Sequence, residues 1–206
     1  MFEDYAIVDL SPELVPGHED RRLAIRPFLA ESDQLLMHDI DMMSHVGAHI
    51  EAPFHYKEDL KGIAELTLST FFGEGLCIDI SGAGKAGAVT PDTLLESAPS
   101  GGINPGDIVL LHSMFADEDI PHIARECAEF LAALPVKMLG VDSSIRVEEP
   151  GGMATHDTLL RKDIPLIERL VNLDKVKGKR FLFFGFPLRI KGLDSSPIRA
   201  VALVKK

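Results

Sequence analysis

His45, His49, Glu51 and His55 fall within eleven residues, around Gly47 and Pro53. Imidazole and carboxylate are the donors that a borderline divalent cation such as Zn²⁺ or Mn²⁺ takes. His45, His49 and Glu51 are all odd-numbered, so an extended segment points them to one face. Fully extended, an i,i+4 pair stands roughly 13 Å apart, about the limit for two imidazoles on one ion. A bend or bulge at Gly47 would shorten that span. A helix would also bring His45 and His49 together, as in H-E-x-x-H sites. Gly47, the β-branched Val46 and Ile50, and Pro53 argue against a regular helix. A polar loop with scattered histidines is the plain alternative, and the density of the cluster argues against it.

The stretch H-V-G-A-H-I-E-A-P-F-H (45–55) resembles the H-x-G-T-H-x-D-x-P-x-H signature of the putative cyclase family of metal-dependent hydrolases, which includes bacterial kynurenine formamidase and isatin hydrolase. Ala48 stands where the family usually has Thr, and Glu51 where it has Asp. His156 and Glu168 reproduce the family's second His and the Glu twelve residues later. The G-D-I-V-L-L run ending before His112, the segment leading to Asp142, and Pro187–Pro197 resemble further family segments. In the family, that last loop packs near the pocket. The resemblance implies a swivelling β/β/α fold with a mixed sheet, and a homo-oligomer, dimer or tetramer.

The chain has 206 residues, enough for one substantial α/β domain over 1–206. Its net charge of −11 argues against nonspecific binding to nucleic acid or anionic membranes. The acidic start, Met1 to Tyr5, lacks the pattern of a secretory signal. The longest apolar run, Phe181 to Leu188, is too short to cross a bilayer. A soluble cytoplasmic protein is expected, with Cys77 and Cys127 as buried thiols.

Strands are expected over 6–10, 21–29, 76–80, 107–112, 136–141, 180–188 and 198–204, and helices over 91–97 and 119–134. Leu35, Leu36 and Met37 supply apolar bulk, and Leu66, Leu68, Phe71 and Phe72 are expected to return to the core. Arg21, Arg22 and Arg26 read as solvated edge charges, with a substrate carboxylate as the alternative partner of one of them. His38 reads as structural or surface, and His112 as a residue that could approach the site. Gly82 to Gly87 formally matches G-x-G-x-x-G. However, the helix signal comes only at Thr90-Pro91, so a loop is expected rather than a dinucleotide fingerprint.

A catalytic metal needs about three protein ligands and an open position for water. His45, His49 and Glu51 are the first-ion candidates. The resemblance implies that His55, His156 and Glu168 hold a second ion, with Glu51 bridging. With one ion, His55 and His156 would instead move protons or stabilise an oxyanion. No G-x-S-x-G elbow is present. The expected activity is therefore metal-assisted hydrolysis of a small amide, imide or lactone. N-formylkynurenine is the alternative substrate, and a non-catalytic metal- or ligand-binding protein the alternative function. Phe54 and Tyr56 are the expected pocket walls.

Overall fold

The computed structural model describes residues 3–29 and 35–206. The strands are β1 Tyr5–Asp9, β2 Leu23–Leu29, β3 Leu36–Met42, β4 His49–Glu51, β5 Phe72–Asp79, β6 Ala88–Val89 and β7 Ile108–His112. They continue as β8 His122–Ile123, β9 Met138–Asp142, β10 Leu166–Leu170, β11 Arg180–Phe184, β12 Ser195–Pro197 and β13 Val201–Lys205. The helices are α1 Pro53–Tyr56, α2 Pro91–Ser97, α3 Arg125–Ala133 and α4 Ala154–Leu160.

Among the described residues, nine strands form one mixed sheet in the order β1-β13-β11-β5-β7-β9-β10-β4-β12. Its centre, β5-β7-β9-β10, is parallel, and the strands flanking it run antiparallel. The α/β expectation therefore holds, and the mixed sheet is the one the resemblance implied.

Both faces of the central strands are covered, which is why they read as continuous apolar runs rather than alternating ones. Cys77, Ile108, Leu110, Met138 and Ile167 pack on one face with Phe181, Phe183 and the β13 residues Ala202 and Val204. Leu76, Ile78, Val109, Leu111, Leu139 and Leu166 pack on the other, against α2, α3 and α4. Cys77 and Cys127 lie on opposite sides of the sheet, free and buried. Burial pushes the Cys127 thiol up to about 12.

Several boundaries move. The helix expected over 119–134 begins only at Arg125. Ahead of it, His122 and Ile123 run extended beside β6, and the Ile123 N–H donates to Arg146 O. The strand expected over 180–188 stops at Phe184, and the unpredicted β12 pairs with β4. Thr90 caps α2 as expected, its hydroxyl accepting from Thr93 N at 3.3 Å.

β2 and β3 form a hairpin on which Arg22 and Arg26 pair with Asp41, so they are edge charges. The segment entering β3 falls partly outside the described residues, and Leu35, Leu36 and Met37 are exposed rather than core. Of the residues expected back in the core after Lys61, Phe71 is buried. Leu68 and Phe72 are exposed, Leu68 on a single-turn helix and Phe72 at the first residue of β5.

Candidate metal centre

The short strand β4 is held on both sides, His49 and Glu51 facing Glu168 and Leu166 of β10, and Pro197 and Ser195 of β12. Its preceding turn carries His45, and Gly47 adopts φ +60° between the two histidines. A Cβ there would meet the terminal Leu14 Cδ2 at 2.4 Å, which a turn of that side chain would relieve, so the bend favours glycine for its left-handed conformation. This bend shortens the span that an extended strand would have left. Pro53 then opens α1 at a position where its missing N–H costs nothing, and one helical step delivers His55.

The donors converge. His45 Nδ1 lies 3.2 Å from His49 Nε2 and 3.0 Å from Glu51 Oε1, which is itself 3.4 Å from His49 Nε2 and 3.7 Å from His55 Nε2. The second Glu51 oxygen is 3.1 Å from His156 Nε2, presented by α4. With metal–nitrogen bonds of about 2.0–2.1 Å, tetrahedral neighbours stand about 3.4 Å apart. The observed separations are of that size.

The outer ring nitrogens decide what these groups are arranged for. His49 Nδ1 donates to Gly47 O at 2.7 Å. His45 Nε2 and His55 Nδ1 both meet Asp194 Oδ2, at 2.7 and 3.0 Å. His156 Nδ1 meets Glu148 Oε1 at 2.7 Å. Carbonyl and carboxylate oxygens only accept, so each outer nitrogen carries the proton. Each inner nitrogen is then left to present a lone pair towards Glu51. That is the arrangement of metal-ligating histidines supported from behind by acceptors. Neutral imidazoles leave the negative charges of Glu51, Asp194 and Glu148 uncompensated, and a divalent cation would offset two of the three. The donor set fits a divalent ion.

Without an ion, protons must take its place. Burial works against the imidazolium of His156, but hydrogen bonds to Glu148 and Glu51 outweigh it and raise its pKa to about 9. Burial likewise disfavours ionised Glu51, yet hydrogen bonds from His156, His45 and His49 hold its carboxyl far below the usual range. Glu168 goes the other way, raised by burial and then by the charge of Glu51.

Five of the six residues picked out by spacing thus meet: His45, His49, Glu51, His55 and His156. Glu168 stands opposite His49 on β10, within reach of the field of Glu51 but outside the three donor groups. Asp194 joins the cluster with His45 and His55. Its only sequence signal was membership of the Pro187–Pro197 segment. Glu148, on the loop before α4, also accepts from the His156 and Thr155 backbone N–H groups at 2.8 and 3.1 Å. No pattern of spacing marks that role.

A cavity of about 480 Å³ reaches the cluster at His156, Glu148 and Glu168, and is further lined by Asp142, Val147 and Arg169. Phe54 and Tyr56 are not among its lining residues. Phe54 lines a separate groove, while Tyr56 packs on the helix-side core under the Arg161 guanidinium, 5.1 Å from the ring centre. The helical turn of α1 swings both rings away from His55. His112 is also outside the cluster, held 2.6 Å from Asp142.

The sequence model of the putative cyclase family matches residues 8–145. The chain belongs to this family. A kynurenine formamidase of Bacillus cereus is 30% identical over 177 residues, covering 83% of this chain and 81% of that protein. Another, from Erythrobacter litoralis, is 33% identical over 161 residues, 78% of this chain and 73% of the relative. Among solved structures, isatin hydrolase A from Labrenzia aggregata, bound to benzyl benzoate, superposes with a TM-score of 0.83 at 22% identity, covering 98% and 95% of the two chains. This putative cyclase family member is an enzyme of the hydrolase class, and its fold is that of the isatin hydrolases.

Proposed function

We propose that the protein is a metal-dependent hydrolase that cleaves a small amide, imide or lactone. The observation that carries the reading is the set of four imidazoles whose outer nitrogens are all held by acceptors while the inner ones face Glu51. In this reading His45, His49 and Glu51 hold one divalent ion, Zn²⁺ or Mn²⁺. Glu51, His55 and His156, with Glu168 behind them, hold a second where two are present. When bound, the ion supplies Lewis acidity and lowers the pKa of a water towards about 7. His55 is the most accessible imidazole of the cluster, its side chain 31% exposed, and Asp194 fixes its ring. It is therefore placed to hold or pass a proton at Nε2. Glu51 reaches with one oxygen towards His45 and His49 and with the other towards His156, which is what a bridging carboxylate requires.

The preference for a small substrate rests on the cavity wall, where His156 is the one ring among the described lining residues. Pockets for aromatic substrates commonly use large flat side chains. The formamidase relatives keep an aryl formamide such as N-formylkynurenine as the second reading. The reading includes a single cytoplasmic domain over 1–206 that assembles as a homo-oligomer. The exposed apolar residues Leu29, Leu36 and Ile40 of the hairpin support that assembly.

The deciding experiment is a steady-state comparison on metal-replete protein across formamides, imides and lactones. The reading expects one small amide, imide or lactone to have the highest kcat/KM. A value for N-formylkynurenine of about 10⁴ M⁻¹s⁻¹ or more, above all others, would replace it with the second reading. Bound metal with no hydrolysis across the panel would instead indicate a binding protein.

A further inference from the structure

A second cavity, of about 450 Å³, contains none of the donor residues. Ile63 and Phe71, 2% and 4% exposed, form its apolar floor. Leu66 and Pro187 line its sides, Leu68 stands at its mouth, and Arg189 is the one charged residue on its lining. Its walls are two chain segments tied together at both ends. The Ile63 N–H donates to Leu193 O at 3.0 Å, and the Gly185 N–H donates to Phe71 O, also at 3.0 Å. Gly62 allows the first tie, because a Cβ there would sit 2.9 Å from Leu193 O. Between the ties the side chains stand apart, so the space is braced rather than left by a loose loop.

Arg189 adds a chemical direction. Arg22, Arg26, Arg161, Arg169, Arg180 and Arg199 each pair with a carboxylate. Arg189, like Arg21 and Arg125, makes no hydrogen bond or ion pair with any described residue, and of these three it alone lines the cavity. In a chain of net charge −11, an exposed, unmatched guanidinium at the rim of an apolar hollow is a local attraction for an anion. A guanidinium also presents the paired N–H groups that a carboxylate accepts in bidentate fashion. The volume is that of an ordinary small-ligand site.

We propose that this cavity binds a small amphipathic carboxylate, its apolar body against Ile63, Leu66 and Phe71 and its head on Arg189. The body is aliphatic or aromatic. Both present the same chemistry to the site, and two probes separate them.

Isothermal titration calorimetry on the metal-replete protein, with decanoate, 2-naphthoate and decanol, tests this. Saturable one-to-one binding of at least one carboxylate is expected, and the tighter of the two identifies the body. Arg189→Gln should weaken carboxylate binding about tenfold or more, the loss of a charge-assisted pair, and leave decanol unaffected. Leu68→Glu, which sets a carboxylate at the mouth, should weaken the carboxylates further than decanol. Both side chains are exposed, so both variants should fold as the parent does. Carboxylate affinity should survive removal of metal by EDTA, since no donor residue lines the cavity. Three results would overturn the proposal: no saturable binding of either carboxylate, equal affinity in Arg189→Gln, or loss of binding with the metal. The last would place the ligand at the metal centre instead.

Discussion

Among the described residues two histidine–carboxylate groups stand out, one around Glu51 and one at the ends of β7 and β9, and they are built on different terms. At the second, His112 Nδ1 meets Asp142 Oδ2 at 2.6 Å. The Ser144 hydroxyl donates to Asp142 Oδ1 at 2.5 Å, and Ser144 Oγ accepts from Ser113 N at 2.7 Å. One imidazole, one carboxylate and one hydroxyl pair there, a single negative charge against a single ionisable ring. Ser144 gives its proton to Asp142 and lies on the Nδ1 side of His112, 3.5 Å away, so this is not a nucleophilic triad. Around Glu51 four imidazoles are each supported from behind, and their inner nitrogens gather on its two oxygens, with His45 Nδ1 and His49 Nε2 only 3.2 Å apart. They cannot all be satisfied by each other. Four imidazoles held from behind around one carboxylate make a donor set, whereas a single ring paired with a single carboxylate does not.

That contrast can be broken from either side. The largest expected effect is at His49, whose Nε2 lies in the inner group. His49→Ala should lose stoichiometric metal, measured by plasma mass spectrometry, together with hydrolysis. Full retention of metal would remove the centre from the argument. His55→Ala should slow turnover by roughly 10²–10⁴ while some metal stays bound, if its role is proton transfer. Loss of metal in proportion to activity would make His55 a ligand instead.

Asp194→Asn and Glu148→Gln keep the shape of the side chains behind the cluster but remove their charge. Each should cost about 10–100-fold in metal affinity or activity, read by chelator competition. An unchanged affinity in both would mean that the outer carboxylates merely pack.

The smallest effect belongs to the closed pair. His112→Gln should leave metal content unchanged and cost about 1–3 kcal/mol of stability in urea titrations. Its pH dependence has a definite sign. The hydrogen bond to Asp142 raises the His112 pKa above its ordinary value despite opposing burial. The stabilisation is then complete below the unfolded value of about 6.5 and is lost as pH rises through the higher folded value. The stability gap between parent and variant should therefore narrow from pH 6 to pH 9. A gap that widened would contradict the charged pair.

The donor residues His45, His49, Glu51 and His55 were legible because they share one local stretch, where residue type and spacing are both visible. The parallel strands β5, β7 and β9 were legible for a related reason: burial on two faces leaves an unbroken apolar run. Boundaries were less so. The helix ending at Ala133 starts six residues later than its composition suggests, because residues 121–124 find backbone partners distant in sequence. Helical propensity is a weak prior, and tertiary pairing overrides it.

The sequence by itself determined the donor types, the glycine that lets them bend together, and the His156–Glu168 spacing. Only the tertiary structure decided which of these groups meet. It set Glu168 behind the cluster and brought in Asp194, from 149 residues beyond His45, and Glu148, from a loop. It also turned Phe54 and Tyr56 away from the cavity, and set Arg189, unpaired among the described residues, beside an apolar hollow. The physical reason is that coordination and support act over about 3 Å in space, between strands and loops whose separation along the chain carries no trace of that distance.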